Sequence, residues 1–81
     1  MTNEEKIDIV LELVKKELLF ATGKFGPFNS PHEGKAIIEE ELDELWEHVK
    51  ANSGYSDEAI DEAIQVAAMG LRYVVDFGWT E

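Results

Sequence analysis

No cysteine occurs anywhere in the 81 residues, so disulfides, thiolate metal sites and cysteine nucleophiles are all excluded. Basic residues are scarce: 7 lysines and arginines stand against 18 aspartates and glutamates, a formal net charge of −11. A chain of that sign repels nucleic-acid backbones and anionic membranes and attracts cations. No apolar run reaches the length of a membrane span, and the start, "MTNEEKIDIV", lacks the basic region and apolar core of a secretory leader. The expectation is a cytoplasmic protein with neither a membrane nor a nucleic-acid polymer as partner. Strand-period alternation, internal repeats and low-complexity segments are missing too, as are a phosphate-cradling glycine loop and a serine–histidine–aspartate set.

What remains is helical. Hydrophobic residues make up 44% of the chain, enough for one globular domain over residues 1–81, although a chain this short buries a thin core alone. A first helix is predicted from about Asn3 to Phe20, with Thr2 and Glu5 spaced as a capping box and Ile7, Val10, Leu11, Val14 and Leu18 at helical intervals. Residues 21–29, "ATGKFGPFN", contain glycines and a proline and read as a loop. The second helix opens on "SPHE", with Ser30 as N-cap, Pro31 in the first helical position and Glu33 completing the cap. It runs to about Ala51, where "NSGY" ends it. Ser56 caps a third helix, Asp57 and Glu58 suit its positive N-terminus, and Gly78 stops it after Phe77.

The second helix carries six carboxylates in nine positions, Glu39 to Glu47. At about 100° per residue, Ile38, Leu42, Leu45, Trp46 and Val49 form its apolar stripe. Glu39, Glu40, Asp43 and Glu47 project to one flank and the back, an ordinary solvated face. Glu41 and Glu44 fall on the other flank, with Ile37 and His48. An isoleucine among carboxylates implies a covered flank, and carboxylates there need a counter-charge, because burying them unpaired is costly.

The third helix is apolar on two sides. Ile60, Ile64, Ala67, Ala68, Leu71, Val74 and Val75 form a wide stripe, and Ala59, Val66, Tyr73 and Phe77 form another. A helix buried on both sides in so short a chain implies a second copy. The expectation is therefore an all-α, three-helix chain whose bundle is completed by dimerisation or tetramerisation, with Val66, Tyr73 and Phe77 at the interface. Between the stripes lies a polar strip of Glu58, Asp61, Glu62, Gln65, Arg72 and Asp76. It reads either as a solvated edge with an Arg72–Asp76 pair at helical spacing, or as a surface facing Glu41 and Glu44 across a divalent cation.

"EELDEL", Glu40 to Leu45, resembles the E-E-x-x-E motif of the MazG-like all-α nucleoside triphosphate pyrophosphohydrolases. The resemblance extends to their helix order over nearly the whole chain. It implies magnesium, with manganese as a substitute, and cleavage of a nucleoside triphosphate into a monophosphate and pyrophosphate. The family's ligands fall on Glu41 and Glu44, which also supply the catalytic carboxylate. Its downstream E-x-x-D falls by hydrophobic register on Glu62 and Gln65, with Asp61 as a replacement ligand one residue away. Glu58 and Asp61, in "EAID", match the motif's letters, but Glu58 sits in the first turn, where the helix dipole already accounts for it. Gln65 is neutral where the family is acidic, which keeps open a second reading: a non-catalytic binding or regulatory module that has lost a ligand. Lys35 and Arg72 are the cations expected to meet substrate phosphates.

The remaining residues have structural expectations. His32 and His48 lack metal-ligand spacing and read as surface or packing residues. Gly34 implies a close approach by another group. Phe25 and Phe28 are expected to plug one end of the core, and Trp46 to lie within it.

Overall fold

The computed structural model describes residues 1–52 and 54–79. It contains three helices, α1 (Asn3–Phe25), α2 (Pro31–Asn52) and α3 (Asp57–Phe77), and no strand among the described residues. The caps are those expected. Thr2 accepts from the Glu5 N–H while the Glu5 carboxylate accepts from the Thr2 N–H. The Ser30 hydroxyl accepts from the Glu33 N–H, and that of Ser56 from the Ala59 N–H. Glu33 reaches back one residue further than the cap, accepting from the backbone and side chain of Asn29. Ser53, within the turn predicted to end α2, lies outside the described residues.

The first helix runs longer than its sequence suggests, ending at Phe25 rather than Phe20. Ala21 is buried, and the Thr22 hydroxyl donates to the Leu18 carbonyl, so tertiary packing carries the helix across Gly23. The stop comes at Gly26, whose φ of 70° is a left-handed conformation that glycine adopts cheaply. Short connections reverse the chain twice, and α3 becomes the central element, packed against both α1 and α2. The result is a flat assembly of 41 × 29 × 20 Å. Its buried core is small: Val14, Ala21, Phe28, Ala68 and Met69, supported by Leu18, Ile37, Ile38, Ile64, Tyr73 and Phe77. Gly34 is where α2 approaches α3 closely, since a Cβ there would lie 2.8 Å from the Tyr73 ring.

The two apolar sides of α3 do not divide as expected. Tyr73 and Phe77 pack inside the chain, edge to face at 5.0 Å, and Phe77 stacks on Phe28 at 6.4 Å. α2 lies over them, so they pack against the core of the single chain, and Val66 is half-buried. From the stripe expected to be internal, only Ile64 and Ala68 join the core, while Ile60, Leu71, Val74 and Val75 are exposed. Trp46 is likewise exposed rather than buried, with the Lys50 ammonium over its ring. Phe28 does plug the core, but Phe25 is exposed.

Candidate functional site

The helical register of α2 places Glu41 and Glu44 one turn apart, facing α3. The packing of α2 on α3 then brings Glu62 to them. One carboxylate oxygen from each of Glu41, Glu44 and Glu62 lies within 4.8 Å of the others. Glu41 and Glu62 are half-buried, and Glu44 is exposed. The Glu62 Oε2 atom is buried without a hydrogen-bond partner among the described residues. An acceptor in that state has lost its water and gained nothing in return.

All three carboxyl groups are held above the usual carboxylate range. For Glu62 the largest cause is burial, followed by the facing Glu41 carboxyl; its contact with Glu44 and the nearby His48 pull the other way. Burial also dominates for Glu41, where Glu62 partly relieves it and the charges of Glu44, Glu40 and Glu17 add to it. For Glu44 the contact with Glu62 comes first. Acids at such spacing disfavour one another's charged form, and shared protons relieve that cost.

These shifts set the sign of a pH dependence. A carboxyl raised in the folded state binds its proton more tightly there than in the unfolded chain. Its contribution to stability is full below the ordinary carboxylate pKa and is lost as pH rises through the folded value. Glu5 and Glu33 are lowered instead, by hydrogen bonds from Thr2 and Asn29, so their contributions disappear at more acidic pH. The metal-free protein is therefore expected to reach its highest Tm on the acid side of neutrality. Thermal melts in a chelating buffer from acidic to neutral pH would check this. Glu62→Gln should flatten the fall toward neutral pH and leave the acid limb in place. A wild-type Tm that rises steadily into neutral pH would contradict it.

Next to the cluster lies a cavity of about 350 Å³ that shares Glu41 with it. Phe20, Phe25, Phe28, Ile37 and Met69 supply its apolar wall, and Gln65 and Arg72 line it as well. Arg72 is only 5% exposed. Its guanidinium stacks on Phe28 at 4.1 Å and donates to the Gly26 carbonyl. Its Nε lies 3.9 Å from Asp76 Oδ2, too far for a hydrogen bond, and has no other partner among the described residues. That Asp76 oxygen accepts from the Phe28 N–H at 2.8 Å. The Arg72–Asp76 pair expected on a solvated edge is therefore an internal one, pinning the α1–α2 loop to α3.

The other sequence candidates are distributed as follows. Gln65 borders both the cavity beside the cluster and a cleft against α1, where the exposed Asp61 lies with Leu13 and Lys16. Glu58 is exposed. Lys35 lies on a different cleft, with Pro31 and Tyr73, and pairs with Glu39 at 2.8 Å. Glu47 pairs with Lys50 at 2.8 Å, as suits a solvated face. His48 is half-buried, close enough to Glu44 and Glu62 to ease their charge, while His32 is exposed.

Glu17 was not foreseen. It is half-buried on α1, lines the cavity and adds its charge to that felt by Glu41. Its only signal in the sequence is its place on the edge of the Val14–Leu18–Ala21 stripe. Compared with protein-family models, curated proteins and solved structures, the chain matches none.

Proposed function

We propose that this chain is a magnesium-dependent nucleoside triphosphate pyrophosphohydrolase, acting at the Glu41–Glu44–Glu62 cluster. The observation that carries the reading is the buried, unpartnered Glu62 oxygen facing two further carboxylates. An all-oxygen donor set of this kind suits magnesium or manganese, which keep open positions for water and phosphate oxygens. Glu41, Glu44 and Glu62 would hold the ion, with Gln65 bordering the adjoining cavity as a neutral donor and Asp61 on the neighbouring cleft that Gln65 also lines. When bound, the ion supplies positive charge to the triphosphate oxygens, which a chain of net charge −11 cannot otherwise attract.

The residues themselves account for the rest. Phe20, Phe25, Phe28, Ile37 and Met69 offer an apolar wall to a base and sugar, and Arg72 is the cavity's basic lining residue. Glu44 is the exposed member of the cluster, so it has access to solvent water. Its carboxylate accepts a proton from a water whose oxygen forms a bond to the α-phosphorus. The bond from that phosphorus to the oxygen bridging toward the β-phosphorus breaks, and pyrophosphate leaves with the electron pair. The resemblance of "EELDEL" to the MazG-like motif supports the same reaction. A homodimer or homotetramer belongs to the same proposal.

A second reading draws on Gln65, which is neutral where that family has its fourth acid: a non-catalytic helical module that binds a metal or nucleotide. Pyrophosphate release across a panel of canonical and modified nucleoside triphosphates, with and without magnesium, separates the two. Magnesium-dependent release that Glu44→Gln abolishes is the expected result. Absence of release from every nucleotide, with metal binding intact, would leave the module reading.

A further inference from the structure

The cavity of about 350 Å³ carries two unmet demands of opposite sign. Four carboxylates line it, Glu17 from α1 and Glu33, Glu40 and Glu41 from α2. Asn29 donates twice to Glu33, but no lysine or arginine pairs with Glu17, Glu40 or Glu41 among the described residues. Glu17 and Glu40, from two different helices, both add their charge at Glu41. The rings of Phe20, Phe25 and Phe28 share that wall, and a ring face attracts a cation. The chain already sets its Lys24 ammonium 5.7 Å from the Phe20 ring centre and 5.2 Å from that of Phe25. The opposite demand is that of Arg72, which is only 5% exposed. A guanidinium has five N–H donors. Here one meets the Gly26 carbonyl, one lies 3.9 Å from the Met69 sulfur, and Nε has no partner among the described residues.

A neutral base offers Arg72 an acceptor and leaves the carboxylates unanswered. A simple ammonium does the reverse. A nucleobase alkylated on a ring nitrogen answers both. It carries a positive charge, a carbonyl or ring-nitrogen acceptor, and a flat face that stacks on phenylalanine. We propose that the cavity selects a positively charged, N-alkylated nucleobase over its neutral parent. Glu41 belongs to the cavity and to the carboxylate cluster alike, so one nucleotide can span them. The proposal rests on the hydrolase reading and names its substrate class: nucleoside triphosphates alkylated on the base.

Nucleosides test the cavity without phosphate or metal. Proton NMR titration of the full chain, in a chelating buffer at neutral pH, compares 3-methylcytidine with cytidine and 1-methyladenosine with adenosine. In at least one pair the cationic member is expected to bind ~10-fold or more tightly than its parent. Tetramethylammonium, a charge without a base, should bind more weakly than that nucleoside. Glu17→Gln should lower the ratio ~3-fold or more. Should that variant lose helix by circular dichroism, Glu40→Gln, at an exposed position, decides instead. No binding by any of the four nucleosides, ratios near one in both pairs, equal binding of tetramethylammonium, or a ratio unchanged in the folded variant would overturn the proposal. Pyrophosphate release from the matching triphosphates, with magnesium, keeps the two readings apart. Charge-selective nucleoside binding without release upholds the cavity's selectivity and removes the hydrolase reading. Release from charged and neutral triphosphates alike, with charge-blind nucleoside binding, overturns the selectivity and leaves the hydrolase reading in place.

Discussion

Glu62→Gln should raise the melting temperature of the metal-free protein and abolish the further rise that magnesium or manganese gives the wild type. Both effects have one origin. Without a cation, burial and the neighbouring Glu41 carboxylate disfavour the charged form of Glu62, so a neutral amide of nearly the same shape relieves the folded state. With a cation, the same charge becomes a ligand. A ligand at one hundred times its Kd stabilises the native state by about 2.7 kcal/mol, which for a domain of this length is a Tm rise of roughly 10–20 °C. Glu41→Gln should act in the same direction. Glu39→Gln and Glu47→Gln are controls of equal charge change, since those side chains pair with Lys35 and Lys50 on the solvated flank. They should leave the metal response intact. Equal loss at all four positions would mean that the cation only screens an acidic surface. Protein concentration must be held constant through the series, because assembly also shifts Tm.

Arg72→Ala is expected to be the most destabilising single change outside the apolar core. It removes the guanidinium from the Phe28 ring and from the Gly26 carbonyl, and it leaves Asp76, whose side chain is 8% exposed, without a counter-charge. Removing one partner of a buried pair costs about 3–5 kcal/mol. The 3.9 Å separation and the N–H that Asp76 still accepts from Phe28 argue for the lower end. A Tm loss of roughly 15 °C follows for a chain of this size. The double variant Arg72→Ala with Asp76→Asn should recover part of that loss, because the stranded charge is gone. Urea unfolding of the two single variants, the double and the wild type measures the coupling. A loss below about 1 kcal/mol for Arg72→Ala would place it with ordinary surface substitutions and remove the pinning role assigned here.

The helix boundaries that could be read from sequence are those set by local chemistry. Thr2 with Glu5, Ser30 with Pro31, and Ser56 each satisfy backbone donors within a few residues, so no knowledge of the rest of the fold was needed. The end of α1 was missed because "ATGKF" is a poor helix by propensity, and burial of Ala21 outweighs that. For the site, the register of α2 separated Glu41 and Glu44 from their acidic neighbours before any contact was known. On α3 the register gave only a polar strip, and the resemblance to the MazG-like motif singled out Glu62 within it. Glu17 was not legible, since nothing in the order of the chain says which face of α1 closes the cavity. The faces of α3 failed for a related reason. Both are apolar, and periodicity alone does not say that α2 covers Tyr73 and Phe77 while Leu71 and Val74 stay bare.

Stoichiometric binding of manganese, followed by the loss of its free-ion electron paramagnetic resonance signal, tests the cation site most directly. The arrangement of Glu41, Glu44 and Glu62 predicts one ion per chain, displaced by magnesium and lost in Glu62→Gln, with Glu39→Gln unaffected. No saturable binding at millimolar manganese, or binding that survives Glu62→Gln undiminished, would contradict it.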